Sequence, residues 1–445
     1  MNEKEFALSY DVAVIGGGAA GLITAIDLAK AGCSVVVLER SKLVGGRAMT
    51  VDKNGARFNL GAHALYTEGE AYRILQEFGL QLEGGTPPTS GIGIWNDKLP
   101  ALPGNAALLL TSRLLSWSGK MEVGRFMMKL PKLDADAVPD ISWREWAELE
   151  IRDPMARNLL YALSRTATYN RDIDRQLAGP VLRQVERSLR KNGVRYLHGG
   201  WQTIVEQLRE LATRSGATIL TGGGVAEVEL DEASVRGVTL NDGTSISARQ
   251  VVSTLPPKET FRIVPGAEQT ALKRWQEDAR PAMAACLDIA LRKLPVSGRN
   301  FAIGLDRPVF FTNNSYAAKL STNGDTIVHL VKYNIAGDGN PKEDERELER
   351  TMTLLHPNWQ QEIVARQSLP AMTVCYDFAH IERRDRKPGP AVPEIRGLYA
   401  AGDWASHGEW LLDAAAASAR RASTQLLKDR DRDVTSERAL ASSRH

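Results

Sequence analysis

Apolar residues first run unbroken in two short stretches, Val12-Ala13-Val14-Ile15 and Val35-Val36-Val37-Leu38. That is the pattern of strands buried on both faces of a parallel sheet. Between them, residues 22–31 place apolar side chains at helical spacing and stop at Gly32. The chain therefore opens as strand (11–15), helix, strand (34–38). A hairpin-like segment at 49–60 and a helix at 68–78 follow. From about 86 to 190 the pattern turns helix-rich, punctuated by Pro100, Pro103, Pro131, Pro139 and Pro154. Strand patterning returns at 218–220, 225–230, 235–240 and 245–253, with Asn241-Asp242-Gly243 marking one hairpin. A second mixed region, 261 to about 371, holds a strand at 326–333 and an acidic helix at 341–355. A helix of small residues over 412–419 closes the pattern. The tail after Lys428, rich in Arg, Asp and Ser, reads as disordered. No internal repeat is present.

The first strand empties into Gly16-Gly17-Gly18-Ala19-Ala20-Gly21, which fits G-x-G-x-x-G. Gly16 permits the sharp turn, Gly18 lets the backbone approach a pyrophosphate, and Gly21 lets the helix pack close to the strand. The second strand delivers Glu39, 18 residues after Gly21, where a carboxylate accepts hydrogen bonds from ribose hydroxyls and repels a 2′-phosphate. A glycine-rich turn alone is weak. Strand, glycines, helix, second strand and terminal acid together specify the ADP half of a dinucleotide other than NADP.

Composition narrows the rest. A chain of 445 residues has room for more than one domain. The formal charge of +2, with bases and acids intermixed, gives no reason to invoke nucleic acid. Cys33, Cys286 and Cys375 are odd in number and far apart, as expected of buried thiols in a reducing compartment. The seven histidines form no ligand-like pair, so no metal is expected. Neither a signal core nor a stretch of ~18 apolar residues stands out, and the expected location is the cytoplasm.

Two further islands decide which dinucleotide. Gly45-Gly46-Arg47-Ala48 sets a second glycine pair beside a cation, and Gly397-Leu398-Tyr399-Ala400-Ala401-Gly402-Asp403-Trp404 precedes the small-residue helix. On these motifs the chain resembles the FAD-dependent superfamily of phytoene and carotene desaturases, hydroxysqualene dehydroxylase, protoporphyrinogen oxidase and monoamine oxidase. The resemblance runs from about residue 10 to about 422, in islands. It implies an α/β fold: a Rossmann-like FAD-binding domain, glutathione reductase-like and of amine oxidase type, with an inserted α+β substrate domain. The cofactor domain is expected from 1–85, 191–260 and 372–428, the substrate domain from 86–190 and 261–371, and the tail from 429–445.

The cofactor implied is FAD. Its ADP is assigned to Gly16, Gly18, Ala19, Ala20, Gly21, Glu39 and Arg40, with Val225 where the third cofactor segment is expected. The pyrophosphate and flavin are assigned to Gly45, Gly46 and Arg47, the flavin-facing segment to Gly61, Ala62 and His63, and the ribityl region to Gly402 and Asp403. Leu411 and Leu412 open the last helix, whose N-terminus favours the negative charge of reduced flavin. The family usually has Gly at Ala414 and Ala419. Binding is expected to be noncovalent, because Cys375 stands far upstream of Asp403 and no other Cys or His fits a linkage. His63 is the candidate catalytic side chain, for proton transfer or substrate orientation; a structural, hydrogen-bonded histidine is the equal alternative.

Monoamine oxidases stack their amine between two rings, one of them two residues before the acid of the last helix. Aligning that acid with Asp413 puts Leu411 at the cage position, with Trp410 beside it as a replacement wall. Lys332 is weighed as the counterpart of an amine-oxidase lysine, with an exposed strand lysine the commoner case. Leu411 and the Gly402-Asp403-Trp404 motif tilt the expectation toward hydride removal from an apolar, isoprenoid-like small molecule. Amine oxidase and protoporphyrinogen oxidase activities are the alternatives. With no second G-x-G-x-x-G unit, oxygen, a quinone or another soluble acceptor is the expected oxidant. Residues 106–130, rich in Leu, Met and Phe and broken by Arg113, Lys120, Arg125 and Lys129, read either as a peripheral membrane contact or as a helix pair packed on the core. A reading of another class also stands: non-catalytic lipid carriers related to GDP-dissociation inhibitors share this fold.

Overall fold

The structure, a computed structural model, describes residues 8–61, 63–88, 91–384 and 386–442. Two sheets carry most of it. In the first, β1 (Leu8–Ile15) lies between β2 (Val35–Glu39) and β12 (Ser245–Ser253), parallel to both. Strand β9 (Thr218–Thr221) extends the β2 edge in parallel. The antiparallel pair β10 (Val225–Asp231) and β11 (Ser234–Leu240) continues from β12, which also pairs in parallel with β18 (Leu398–Ala400). Alternate residues of the central strands feed two cores. Val12, Val14, Val35 and Val37 pack beneath α1 (Ala19–Lys30), α8 (Gln202–Arg214) and α12 (Leu411–Ser442). Ala13, Ile15, Val36 and Leu38 face α9 (Pro257–Ile263) and α10 (Ala271–Asp278). Burial on both faces is why these strands read as unbroken apolar runs.

The second sheet follows the order β17 (Ile363–Cys375), β13 (Ala282–Leu291), β16 (Thr326–Ile335), β15 (Val309–Asn313), β14 (Phe301–Gly304), β7 (Ile92–Ile94). All its pairings are antiparallel except β14 with β7. One face packs on α11 (Pro341–Leu355) through Leu287, Ile289, Leu330 and Leu348. The other packs on a helical layer through Cys286, Phe310, Val331 and Tyr333. That layer holds α3 (Ala106–Thr111), α4 (Trp117–Lys129), α5 (Trp143–Glu150), α6 (Pro154–Thr168) and α7 (Ala178–Leu189). Smaller pieces bridge the halves: the hairpin β3 (Thr50–Lys53) and β4 (Ala56–Asn59), helix α2 (Glu70–Glu77), and β8 (Val194–Leu197) paired with β5 (Leu65–Tyr66) and β6 (Gly84–Gly85).

Two expected boundaries move. A division between 371 and 372 would cut β17, which runs unbroken to Cys375; placed after Cys375, it leaves that strand whole. The tail expected to be disordered from 429 instead continues α12 to Ser442. Side chains tether its first part: the Tyr399 hydroxyl donates to Asp429 at 2.9 Å, and Arg430 reaches the Cys33 sulfur at 2.8 Å. The alanine run of α12 is no surface helix, because Ala414, Ala416, Ala419 and Ala422 are fully buried. Cys33, Cys286 and Cys375 are buried and form no disulfide.

His356, after α11, is fully buried. Its Nδ1 accepts from Val296 N–H (3.3 Å) and its Nε2 lies 3.1 Å from the Arg299 carbonyl, an arrangement satisfied by a neutral ring. Burial pushes its pKa down to about 4. An unfolded histidine titrates near ~6.5, so between these values the unfolded state holds the extra proton and acid favours unfolding. Thermal unfolding measured from pH 6.5 down to 4 should show a falling midpoint, with His356 contributing up to ~3 kcal/mol. His356→Gln should flatten that slope.

Candidate active site

The first βα turn is built from glycines that have no space for anything else. A Cβ on Gly21 would lie 1.9 Å from the Gly16 carbonyl oxygen, one on Gly16 2.5 Å from Thr254 Oγ1, and one on Gly17 2.8 Å from Val44. Gly18 is different: a Cβ there would meet no atom within 4 Å. It stands at the N-cap of α1, whose first turn has no acidic side chain and no side-chain cap. Gly45 lies alongside, its N–H donating to the Gly17 carbonyl at 2.8 Å, and a Cβ on Gly46 would lie 3.7 Å from the Gly18 Cα. Two glycine segments and a helix N-terminus thus form an uncrowded, N–H-rich cradle that suits a pyrophosphate.

Glu39, at the end of β2, accepts from Gly17 N–H (2.8 Å) and Ser41 N–H (2.9 Å). Its carboxylate is thereby fixed beside the turn with lone pairs left for a ribose. Gly222 N–H donates to the Ser41 carbonyl (2.9 Å), and Gly224 packs against the stem of the exposed Arg40. This brings Val225, the first residue of β10, to the Glu39 end of the cradle. The triple glycine before β10 thus lies beside the end of β2.

At the other end, Arg47 donates from Nη1 to Asp403 Oδ2 and to the Val374 carbonyl, each at 2.7 Å. Its guanidinium lies 4.8 Å over the Tyr376 ring. Asp403 is buried, 4 % exposed against 41 % for Arg47, and also accepts from Tyr376 N–H at 3.2 Å. Gly402 is held to α12 by Ser418, whose hydroxyl accepts from Gly402 N–H at 2.9 Å. Trp404 turns away into the core beneath the sheet and donates to the Leu255 carbonyl. Cys375, remote in sequence, is brought beside Arg47 and Asp403, and burial raises its thiol pKa strongly.

The segment expected to face the flavin lies against the Arg47 loop. Gly61 adopts a φ of +103° and packs under the Met372 thioether; Ala62 lies outside the described residues. Both ring nitrogens of His63 face carbonyls, Gly61 O at 2.7 Å and Arg47 O at 3.0 Å, and Trp201 packs 4.4 Å away. Two acceptors favour a second proton, but burial outweighs them and lowers the pKa to about 4, helped by the nearby His329 cation. His63 therefore sits between the Gly61 and Arg47 carbonyls as a neutral ring, whose single N–H can donate to only one of them.

Leu411 opens α12 with a φ of +56° and packs, partly buried, against the hydrophobic core of the helical layer. Leu412 turns to the opposite core. Asp413 leaves the helix start altogether. Its Oδ1 accepts from Ala71 N–H at 2.9 Å, in the first turn of α2, and burial raises its pKa to about 6. Trp410 is locked, stacked on Phe378 at 5.9 Å and donating to the Pro180 carbonyl, so it does not replace a cage ring. Lys332 points to the α11 side of β16 and pairs with the buried Asp344, away from the cleft.

One polar cluster escaped the sequence reading. Asp288 on β13 is the cross-strand neighbour of both His329 on β16 and Gln367 on β17. His329 Nδ1 bonds Asp288, and Gln367 donates to Asp288 Oδ2 (3.0 Å) and to the Asn59 carbonyl (2.9 Å). All three are buried, and His329 Nε2 has no partner. Burial opposes the charge on His329, but Asp288 outweighs it and pushes its pKa up to about 10. The available signal was an acid inside the largely apolar β13 and a histidine inside the apolar run Ile327–Val331 of β16. Among the described residues, no cluster of His, Cys, Asp or Glu could hold a metal, and no helix is long and apolar enough to cross a membrane.

Residues 19–283 match the family described as flavin containing amine oxidoreductase, more than half of the chain. The chain belongs to that family. It is a flavin-dependent oxidoreductase, and its cofactor is FAD; the carrier reading is set aside. A curated relative, the 4,4′-diaponeurosporene oxygenase of Staphylococcus aureus USA300, is 22 % identical over 358 residues, covering 69 % of this chain and 67 % of the relative. An oxidoreductase of Methanosarcina mazei shares the fold at a TM-score of 0.74 and 19 % identity, over 93 % of this chain and 99 % of that one. Cyclohexylamine oxidase of Brevibacterium oxydans IH-35A shares it at 0.67 and 18 %, over 95 % and 99 %.

Glu39→Ala and Asp403→Ala should each weaken FAD retention. Loss of a charge-assisted hydrogen bond costs ~1.5–3 kcal/mol, roughly one to two decades in affinity. Flavin-to-protein absorbance after gel filtration measures it. Full occupancy in both variants would contradict the assignment.

Proposed function

We propose that the chain removes a hydride from an apolar, isoprenoid-like small molecule and delivers it to the flavin of a noncovalently held FAD, as a desaturase, dehydrogenase or oxidase. The observation that carries this reading is Leu411. The side chain at the cage position is aliphatic, it packs against the core of the helical layer, and the adjacent Trp410 is stacked on Phe378 and bonded to the Pro180 carbonyl. An amine site needs two aromatic walls, and this one offers neither from the start of α12. The name of the Staphylococcus relative, a diaponeurosporene oxygenase, supports the same substrate class.

Bound flavin supplies the hydride acceptor at N5. The chain's own residues orient it and shape its charge. The N-terminal N–H groups of α12 stabilise negative charge that develops on the reduced ring. Asp413 lies close enough to cancel that effect, but it spends its hydrogen-bonding oxygen on α2. Arg47 and Asp403 would hold the middle of the cofactor, and the segment of Gly61 and His63, to which Ala62 is assigned by sequence, would frame the ring. Reoxidation falls to oxygen, a quinone or another soluble acceptor. In the same reading the protein works in the cytoplasm, in peripheral contact with a membrane.

Anaerobic mixing with terpenoids, amines and porphyrinogens, followed by flavin bleaching, should show fastest reduction by a terpenoid. Fastest bleaching by a primary amine would overturn the reading. Leu411→Tyr gives opposite signs for the two chemistries. Bulk added to an apolar channel should slow terpenoid reduction roughly tenfold or more, as overpacking typically costs ~1–3 kcal/mol. A rebuilt cage wall would instead leave amine turnover unchanged or faster.

A further inference from the structure

Among the described residues, five of nine exposed large hydrophobics, Leu110, Trp117, Met121, Met127 and Met128, fall within one 19-residue segment. Helix α3 buries none of its residues, and α4 buries only Gly119 and Phe126. At ~100° per residue, Trp117, Met121 and Met128 share an arc of about 40° on the side of α4 opposite those two. They are 68 %, 55 % and 71 % exposed. The two helices form one surface. Lys120 Nζ donates to the Leu110 carbonyl at 2.7 Å, and Leu109 packs over Gly124.

The charges around this stripe are one-sided. Arg113, Arg125 and Lys132 are exposed and make no ion pair among the described residues. The only acid between 106 and 132, Glu122, turns inward and accepts from the backbone N–H groups of Arg152 (3.0 Å) and Asp153 (2.9 Å). We propose that the α3–α4 face docks on an anionic phospholipid bilayer. Trp117, Met121 and Met128 enter the boundary between headgroups and acyl chains, while Arg113, Arg125 and Lys132 meet lipid phosphates. A second copy of the chain fits the face poorly, because a two-fold contact would bring these cations against their own copies. The proposal rests on the apolar-substrate reading for its purpose, since such a substrate resides in the bilayer, but its test uses no turnover.

The FAD-loaded full chain is floated with vesicles of phosphatidylcholine alone and of phosphatidylcholine with phosphatidylglycerol. Binding to the anionic vesicles is expected, weakened by raised salt. Arg113→Glu with Arg125→Glu should reduce it by about tenfold or more, and Met121→Glu should abolish it. These positions are exposed, so flavin absorbance and unfolding midpoint should match the parent protein and confirm folding. Three results would overturn the proposal: no flotation with either vesicle, equal flotation with both, or a dimer in light scattering that Met121→Glu dissociates. A terpenoid presented in detergent tests the substrate reading separately, so the two failures are distinguishable.

Discussion

The contact on which the site depends is the one between Gly21 and the Gly16 carbonyl. A methyl carbon there would sit 1.9 Å from the oxygen, far inside van der Waals contact distance. Its absence lets α1 lie tight on β1, which points the helix N-terminus at the end of the strand and leaves Gly18 facing outward. The Gly45–Gly46 strap then closes on the turn through the Gly17 carbonyl. From that strap Arg47 reaches Asp403 on one side and the Val374 carbonyl of β17 on the other. One small-residue contact therefore sets a line of interactions that joins the two sheets.

Electrostatic placement follows the same economy. The positive end of α12 is useful to a reduced flavin only if no anion cancels it. Asp413 sits in the first turn of that helix, yet its carboxylate bonds the first turn of α2, and Gly69 provides the space because a Cβ there would strike the oxygens. Asp288 and His329 form a charged pair beneath the opposite wall, tied through Gln367 to the carbonyl of Asn59, two residues before Gly61. A buried pair of this kind costs desolvation and contributes little net stability. What it gains is registry of three strands against the loop that follows Asn59.

The cofactor half was legible because local chemistry dictates it. Two-sided burial made Val12–Ile15 and Val35–Leu38 continuous apolar runs, and the turn demands glycine at fixed offsets. The hairpins β3–β4 and β11–β12 and helix α11 announced themselves by turn residues, alternation and a proline start. The substrate half was less legible, since its contacts are long-range. The pairing of Asp288 with His329 depends on strand register across 41 residues, which no local pattern encodes. Lys332 invited attention because of its type, but period-2 alternation sends it to the α11 face while His329 and Val331 face the helical layer. Cys375 seemed remote only along the chain. The C-terminal tail misled because Arg, Asp and Ser suit both a solvated coil and a helix, and the side-chain tethers to Tyr399 and Cys33 decide between them.

The claim that the uncrowded position at Gly18 is the seat of the FAD pyrophosphate has a direct test. Gly18 has φ −76° and ψ −177°, extended backbone that valine adopts, and a Cβ there meets no protein atom within 4 Å. Flavin content and thermal unfolding are measured for Gly18→Val beside the flavin-stripped parent. The account predicts the same unfolding midpoint as the stripped protein, with FAD neither copurifying nor rebinding. A Gly18→Val protein that binds FAD as tightly as the parent would contradict it.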